Sequence, residues 1–295
     1  MNPTLPSGIR LGPGRGGLQR LTIDTAACTA ELYLHGAHLC AWQPRSERHP
    51  VLWMSGESRF EAGSPIRGGV PICFPWFGAK AGDPAAPGHG VARISPWSLE
   101  HSRVEEDGTV VVRLGLTPDL CVRPDLLGSL FLTFEVQLGA ALSMALSVTN
   151  RGDAPAAFEE ALHTYFSVGD VRRASMAGLQ GATYLDKVDG GRRKTQGEAL
   201  VTVAGETDRL YLDTEAGITL SDPAIGRRIR VSKTGSRSSV VWNPWVAKSR
   251  AMPDFVDDEW PGMICIETAN AAANVVTLPG HASHTMTATI SMTAA

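Results

Sequence analysis

Two side chains in apolar segments are candidates for proton transfer. His163 lies in Phe158–Ser167 (FEEALHTYFS), where alternate residues are predicted to share one face of a strand. Glu267 closes the apolar run Met263–Glu267 (MICIE), which is also predicted to be a strand. A histidine titrates near neutral pH, and burial raises the pKa of a carboxyl group. Both residues are therefore candidates for general acid–base chemistry. A hydrogen-bonded core histidine and a strand-end ion pair are the structural alternatives.

Two arginines lie in segments stiffened by proline or opened by glycine. Arg67 belongs to Ser64–Gly78 (SPIRGGVPICFPWFG), and the two glycines that follow it would let a ligand approach the backbone closely. Arg93 follows His89 by four residues, so in an extended chain the two side chains would share a face. A guanidinium on a stiff loop suits a phosphate or sugar hydroxyls. A surface arginine and a turn-capping histidine are the alternatives.

Metal and cofactor chemistry have little support in the sequence. His35 and His38, like His281 and His284, are three residues apart, and such side chains point to opposite faces of a strand. No phosphate loop or dinucleotide fingerprint occurs, and no Cys-x-x-Cys pair is present among five scattered cysteines. We therefore expect neither a metal nor a cofactor. The aromatic residues of Trp242–Trp245 (WNPW) are suited either to stacking on a sugar or to core packing.

The elements that must position these side chains are predicted to be strands. Alternation of apolar residues in Leu130–Leu138, a turn, and alternation again from Leu142 predict an antiparallel hairpin. Similar alternation recurs along the chain, and 31 glycines and 19 prolines leave little room for long helices. We expect an all-β sandwich in one domain over residues 18–295, preceded by a flexible Gly/Pro-rich segment over residues 1–17. Long loops at 53–95 and 242–263 are the expected place for a site.

Composition excludes several classes of function. The 295 residues carry 27 Lys plus Arg and 30 Asp plus Glu, a net charge of −3, which argues against a nucleic-acid partner. No apolar run approaches the roughly 20 residues that a membrane helix needs. No signal peptide is visible at the start, so we expect a cytoplasmic protein without a membrane partner, either a monomer or a weak homo-oligomer.

Six segments, in order along the chain, together resemble the glucose-6-phosphate 1-epimerase family, the hexose-6-phosphate mutarotases of the aldose 1-epimerase superfamily. The segments are Ile66–Gly78, His89–Arg93, Leu162–Phe166, Thr207–Tyr211, Val241–Trp245 and Ile264–Thr268. The resemblance implies a galactose-mutarotase-like β supersandwich, no cofactor, and a small-molecule hexose 6-phosphate as substrate.

The resemblance also implies a role for each site residue. His163 is the general acid and Glu267 the general base. Arg67 and Arg93 bind the substrate and its phosphate, Asp208 binds sugar hydroxyls, and His89 contacts the sugar. One departure is Gly88, which stands where some members carry a substrate-contacting glutamine. A mutarotase for unphosphorylated aldoses and a non-catalytic sugar-phosphate-binding module are the alternative functions.

Overall fold

Antiparallel strands dominate the computed structural model, which describes residues 5–293. The helices are α1 (Pro124–Leu127), α2 (Trp245–Ala251) and five short 3-10 turns. The strands are β1 (Ile9–Pro13), β2 (Gln19–Asp24), β3 (Cys28–Tyr33), β4 (His38–Pro44), β5 (Ile72–Cys73), β6 (Ser98–Val104), β7 (Val110–Leu116), β8 (Leu130–Leu138), β9 (Leu142–Asn150), β10 (Ala156–Phe158), β11 (Glu160–Leu162), β12 (Tyr165–Ser167), β13 (Ser175–Ala177), β14 (Thr183–Asp186), β15 (Arg192–Thr195), β16 (Leu200–Thr202), β17 (Thr207–Leu212), β18 (Ile218–Asp222), β19 (Arg227–Thr234), β20 (Ser238–Asn243), β21 (Met263–Asn270), β22 (Val276–Leu278) and β23 (Ser283–Thr293). The all-β prediction is confirmed.

Two large sheets carry most of these strands. One runs β16-β13-β18-β19-β23-β9-β8-β7-β6, and the other runs β15-β14-β17-β20-β21-β11-β5, with β12 also paired to β21. A four-stranded sheet, β1-β2-β3-β4, and the pair β10-β22 complete the described part of the chain. One cluster of buried apolar side chains draws on residues from all three larger sheets. No helix among residues 5–293 is long and apolar enough to cross a membrane.

The hairpin of β8 and β9 shows how period-two patterning builds the core. Leu138 pairs with Leu142 across the turn, and the ladder continues to Leu130 opposite Asn150. Every second residue of both strands is buried, among them Phe134 and Leu146. Burying one such side chain contributes about 1.5–3 kcal/mol, so the ladder forms a strong part of the scaffold. The predicted hairpin is confirmed.

Residues 9–17, which the sequence predicts to be flexible, include a strand and a 3-10 turn, while residues 1–4 lie outside the described part of the chain. Strand β1 pairs with β2 from Ile9 opposite Ile23 to Pro13 opposite Gln19. Proline is tolerated there because β1 is an edge strand and needs no donor on its outer side. Gly16 has a φ of +64°, and a Cβ at this position would lie 1.7 Å from the carbonyl oxygen of Phe60. Gly16 thus permits close packing of this segment on Phe60.

Candidate active site

A cavity of about 300 Å³ brings together all six residues that the sequence predicted for the site. It is lined by Arg67, Phe77, Gly78, His89, Arg93, His163, Lys187, Asp208, Val240, Trp242, Lys248, Met252 and Glu267. Its volume is at the lower end of the range for small-molecule sites in proteins. The cavity lies over the sheet that contains β17, β20, β21 and β11, so neighbouring strands supply several of its walls.

His163 lies at a break between two short strands and not inside one continuous strand, as the alternation had suggested. Strand β11 ends at Leu162 and β12 begins at Tyr165, and both pair with β21. The backbone N–H of His163 donates to Pro71 at 3.0 Å, and that of Tyr165 donates to Gly69 at 2.9 Å. The imidazole stacks on the Tyr165 ring at 4.7 Å between centroids. These contacts hold the ring against the Arg67–Gly78 segment.

The two glycines after Arg67 serve the fold and not the ligand approach that the sequence suggested. Gly68 and Gly69 both have positive φ angles. A Cβ on Gly68 would lie 2.5 Å from the carbonyl oxygen of Trp53, and one on Gly69 would lie 2.2 Å from that of Leu39. Backbone therefore packs on backbone at both glycines, which fixes the position of the segment that carries Arg67.

Glu267 lies inside β21, three residues before its end, and not at a strand terminus as the sequence suggested. It pairs in register with Val240 of β20, and its side chain is 1% exposed. Its Oε1 lies 3.3 Å from Nε2 of His163. The predicted acid and base are therefore in direct contact, Glu267 from β21 and His163 from the break between the two short strands that pair with β21.

Burial and the surrounding charges shift the pKa values of this pair toward each other. Desolvation, followed by the positive charges of Arg93 and Arg67, holds the pKa of His163 well below its usual value. Desolvation and the nearby carboxylate of Asp208 raise the pKa of Glu267 well above its usual value. Lys187 and Arg93 oppose that rise because a positive charge favours the carboxylate. Paired groups with such opposed shifts are typical of acid–base sites.

Arg67 is held by a carboxylate that the sequence analysis did not single out. Its Nε and Nη2 donate to Asp254 at 3.1 and 3.0 Å, and its Nη1 donates to the Tyr165 hydroxyl at 3.0 Å. Desolvation would lower the pKa of Arg67, but Tyr165 and Asp254 outweigh it and the pKa is raised. The guanidinium is therefore firmly oriented, and Asp254 compensates much of its charge.

His89 and Arg93 both reach the cavity, but not by the extended geometry that their spacing suggested. His89 has a φ of +62°, and Arg93 lies in the 3-10 turn Ala92–Ile94. Nδ1 of His89 accepts from the backbone N–H of Gly78 at 3.2 Å, so the neutral ring carries its proton on Nε2. Nη2 of Arg93 donates to the carbonyl of Gly88 at 2.7 Å. Among residues 5–293, no ion pair of Arg93 with a carboxylate is formed.

Two lysines that the sequence analysis missed also line the cavity. Lys248 comes from α2 and contacts Glu206 at 3.0 Å and Asp208 at 4.0 Å. Lys187 follows β14, is exposed, and places its Nζ 4.4 Å from the centre of the Phe77 ring. Desolvation raises the pKa of Asp208, and these two lysines oppose the rise. Lys248 and Asp254 lie in the long loop at 242–263, which the sequence indicated as a place for a site. No sequence pattern indicated Lys187.

Three buried polar atoms of the cavity residues have no hydrogen-bond partner in the described part of the chain. They are Nδ1 of His163, Oε2 of Glu267 and Nε of Arg93. An unsatisfied buried polar atom costs about 1–3 kcal/mol, and such atoms in a native structure mark functional sites or strain. Three of them in one cavity support a functional assignment.

Thiol and metal chemistry were also tested at the site. Burial raises the pKa of Cys73 to about 12 and the pKa of Cys265 well above its usual value, so both thiols stay protonated. No group of three or more His, Cys, Asp or Glu residues among residues 5–293 is arranged to hold a metal ion. The titratable and cationic side chains that line the described cavity are suited to proton transfer and anion binding.

A β sandwich with a buried His–Glu pair and arginines in one cavity defines the class of protein. The sequence model of the aldose 1-epimerase family matches residues 19–291. The chain belongs to the aldose 1-epimerase family and has the epimerase (mutarotase) activity of that family.

Relatives within that family carry a more specific name. A protein of Escherichia coli strain K12 named "Putative glucose-6-phosphate 1-epimerase" is 35% identical over 257 residues, which cover 86% of this chain and 84% of that protein. A protein of Cenchrus ciliaris with the same name is 33% identical over 277 residues, covering 90% and 82% of the two chains.

Solved structures agree with the expected fold. The crystal structure of a "putative mutarotase" from Salmonella typhimurium is 30% identical, covers 99% of this chain and 96% of that chain, and superposes with a TM-score of 0.89. A galactose mutarotase-like protein from Clostridium acetobutylicum is 13% identical, covers 97% and 98% of the two chains, and has a TM-score of 0.72. The predicted galactose-mutarotase-like β sandwich is confirmed.

Proposed function

We propose that this enzyme interconverts the α and β anomers of hexose 6-phosphates, with glucose 6-phosphate as the first substrate to test. The observation that carries the proposal is the contact of His163 with Glu267 at 3.3 Å in a cavity that arginines also line. The names of the relatives at 33–35% identity support the same substrate.

The chemistry requires two proton transfers that this pair can make. Glu267 takes the proton of the C1 hydroxyl while His163 delivers a proton to the ring oxygen. The C1–O5 bond breaks, C1 becomes an aldehyde carbon, and rotation about the C1–C2 bond turns its other face toward the ring oxygen. The reverse transfers then close the ring as the other anomer. Each of the two groups contributes on the order of 10²–10⁴ to the rate.

The shifted pKa values suit these transfers. Desolvation and the charges of Arg93 and Arg67 make protonated His163 a stronger acid, because they lower its pKa. Desolvation and Asp208 make ionised Glu267 a stronger base, because they raise its pKa. The pKa values of His163 and Glu267 therefore lie closer to those of the sugar groups than the pKa values of ordinary side chains would. This smaller difference in proton affinity eases both transfers.

The phosphate group is assigned to the arginines. Arg93 is a half-buried cation with a buried Nε and no ion-paired carboxylate among residues 5–293, and charge-assisted hydrogen bonds to a dianion are roughly twice as strong as neutral ones. Arg67 adds a second guanidinium, oriented by Asp254 and Tyr165. An uncharged hexose would leave Arg93 without an ion-pair partner.

The sugar hydroxyls are assigned to His89 and Asp208. The neutral His89 ring carries its proton on Nε2 because Nδ1 accepts from Gly78, so it can donate to a hydroxyl. The Asp208 carboxylate can accept from hydroxyls on the same cavity wall. Trp242, which also lines the cavity, offers an apolar face to the sugar ring.

A second candidate is an epimerase for unphosphorylated aldoses, which one observation favours. The pairing of Arg67 with Asp254 compensates one of the two positive charges that a phosphate would use. This candidate keeps the same acid and base but predicts similar kcat/KM values for glucose and glucose 6-phosphate. It also predicts that Arg93→Ala affects the two sugars alike.

Two-dimensional NMR exchange spectroscopy tests the proposal directly. We expect the enzyme to accelerate α/β exchange of glucose 6-phosphate far more than that of glucose, and His163→Ala and Glu267→Ala each to abolish the acceleration. Equal acceleration of both sugars would favour the second candidate. Binding of glucose 6-phosphate without accelerated exchange would indicate a non-catalytic binding module and contradict the proposed reaction.

A further inference from the structure

A second cavity, of about 460 Å³, lies beyond the far end of strand β21 and shares no lining residue with the first. Its polar lining includes Lys233, Ser236, Asn270 and Asn274. Lys233 lies near the end of β19, where its neighbour Thr234 pairs with Thr287 of β23. Lys233 supplies the only primary amine of this cavity's described lining.

The hydrogen-bond acceptors around Lys233 match a neutral amine. Its Nζ donates to the carbonyl of Ser238 at 2.7 Å and to the hydroxyl oxygen of Ser236 at 3.2 Å. The Ser236 hydroxyl itself donates to the carbonyl of Ala269 at 2.8 Å, so its oxygen is free to accept. An ammonium has three N–H donors, whereas a neutral amine has two donors and a lone pair. The two neutral acceptors match the two donors of a neutral amine, and neither carries a negative charge that would favour the ammonium form.

The charged groups that face Lys233 do not neutralise it. Glu215, Arg237 and His284 line the same cavity. Arg237 pairs with Asp213 at 3.0 Å, and His284 pairs with Glu160 at 2.9 Å. Lys233 forms no ion pair with a carboxylate among residues 5–293. Desolvation lowers the pKa of Lys233 to about 7, and the charge of Glu215 opposes this only in part.

We propose that Lys233 is a nucleophilic lysine that forms a reversible imine with small hydroxyaldehydes, a class that includes the open-chain form of aldoses. The amine lone pair attacks the carbonyl carbon, and proton transfer from nitrogen to oxygen gives a carbinolamine. The C–O bond of the carbinolamine then breaks and releases water, which leaves the C=N bond. No oxidant or reductant is consumed, and hydrolysis reverses the reaction.

The aldehyde class follows from the chemistry of a neutral amine and from the enzyme's own reaction. Anomer exchange passes through a ring-opened aldehyde, so solutions of the enzyme's substrate always contain this class of molecule. The modification site is nevertheless separate from the catalytic cavity and does not depend on the preferred sugar.

The chain offers a clean test because it contains only five lysines: Lys80, Lys187, Lys194, Lys233 and Lys248. The folded enzyme would be treated at pH 7 with glycolaldehyde and cyanoborohydride, and the alkylation of each lysine followed by peptide mass spectrometry. Roughly half of an amine with a pKa near 7 is neutral at this pH, against about one in 2,500 for an ordinary lysine. Allowing for the weaker nucleophilicity of a less basic amine, we expect Lys233 to react at least tenfold faster than each of the others.

Two controls make the outcome decisive. Lys233→Arg should remove most of the label from the folded enzyme, whereas Lys80→Arg should leave it unchanged, because Lys80 is paired with Asp83. In guanidinium chloride the five lysines should react at similar rates, since the fold no longer shields any of them. Labelling of folded Lys233 no faster than that of Lys80, or an unchanged preference after unfolding, would overturn the proposal. The same samples assayed for anomer exchange should keep their activity, because Lys233 lies outside the catalytic cavity.

Discussion

The pairing of Arg67 with Asp254 provides a sensitive test of how the enzyme recognises phosphate. Asp254→Asn removes the negative charge but keeps one oxygen that can accept from Arg67. A phosphate oxygen bound on the far side of the guanidinium would lie roughly 7 Å from the Asp254 carboxylate. Two unit charges at that distance repel by about 2.4 kcal/mol at an effective dielectric constant of about 20 and by about 0.6 kcal/mol in water.

The exposure of the pair places the expected effect between these limits. The side chains of Arg67 and Asp254 are 20% and 13% exposed, so solvent screens the repulsion in part. We take about 1 kcal/mol, which corresponds to about a fivefold change in kcat/KM. Asp254→Asn should therefore raise kcat/KM for glucose 6-phosphate about fivefold and leave the value for glucose unchanged.

The assay is NMR exchange on both sugars, with Asp258→Asn as the matched control. Asp258 lies on the same loop, is exposed, and does not line the cavity, so its replacement should change neither rate. Melting temperatures of both variants would confirm that each is folded under assay conditions. Equal changes on the two sugars would refute the assignment of Arg67 to the phosphate, and a lower kcat/KM for glucose 6-phosphate alone would refute the argument from charge repulsion.

Three further predictions follow from the site and the core. Glu267→Gln should lower kcat/KM by roughly 10²–10⁴. In differential scanning fluorimetry it should also stabilise the fold by about 0.5–2 kcal/mol at neutral pH. Burial raises the pKa of Glu267, so the ionised form weakens the fold as pH rises, and this gain should vanish below about pH 4. Lys187→Gln should move the acid limb of the pH–rate profile to higher pH, because Lys187 opposes the raised pKa of Glu267. Lys187→Arg should restore the limb, and an unmoved limb would contradict the role of this charge. Leu146→Ala should lower the free energy of unfolding by roughly 2–5 kcal/mol in urea titrations without changing kcat, because Leu146 is fully buried away from the cavity.

Short-range patterns were enough to predict the strands in this chain, and matches of short segments singled out the six side chains that the structure brings to one cavity. The period-two alternation of Leu130–Leu138 and Leu142–Asn150 specifies which face is buried, and the observed register follows it. Segment matches located His163 and Glu267 without knowledge of their contact. The local geometry was predicted less well. His89 adopts a positive φ, which a sequence pattern for an extended segment does not predict.

Contacts that depend on how distant elements pack were not predictable from the sequence. Arg67 and Asp254 are 187 positions apart, and their hydrogen bonds form only because the 242–263 segment folds back over the cavity. Lys187 reaches the site from a 3-10 turn after β14, in a segment whose local sequence carries no signal for a site. Residues with strong local motifs could thus be assigned, whereas the charges that tune them required the arrangement of the sheets.

Strands β11 and β21 each supply the buried glutamate of a His–Glu pair, and the surroundings of the two pairs explain why we propose only one of them for catalysis. In the first pair, Oε1 of Glu160 accepts from Asn270 at 2.8 Å and lies 2.9 Å from His284. That hydrogen bond raises the pKa of His284, so the pair is stabilised as an ion pair.

In the second pair, the contact of Glu267 with His163 is longer, at 3.3 Å, and no amide supports the carboxylate in the described part of the chain. Arg93 and Arg67 disfavour a positive charge on His163, while Asp208 disfavours a negative charge on Glu267. A pair that its surroundings stabilise holds its proton, whereas a pair that they destabilise can exchange a proton with a ligand. The neighbouring charges, more than the two residue types, therefore mark His163 and Glu267 as the pair suited to move protons.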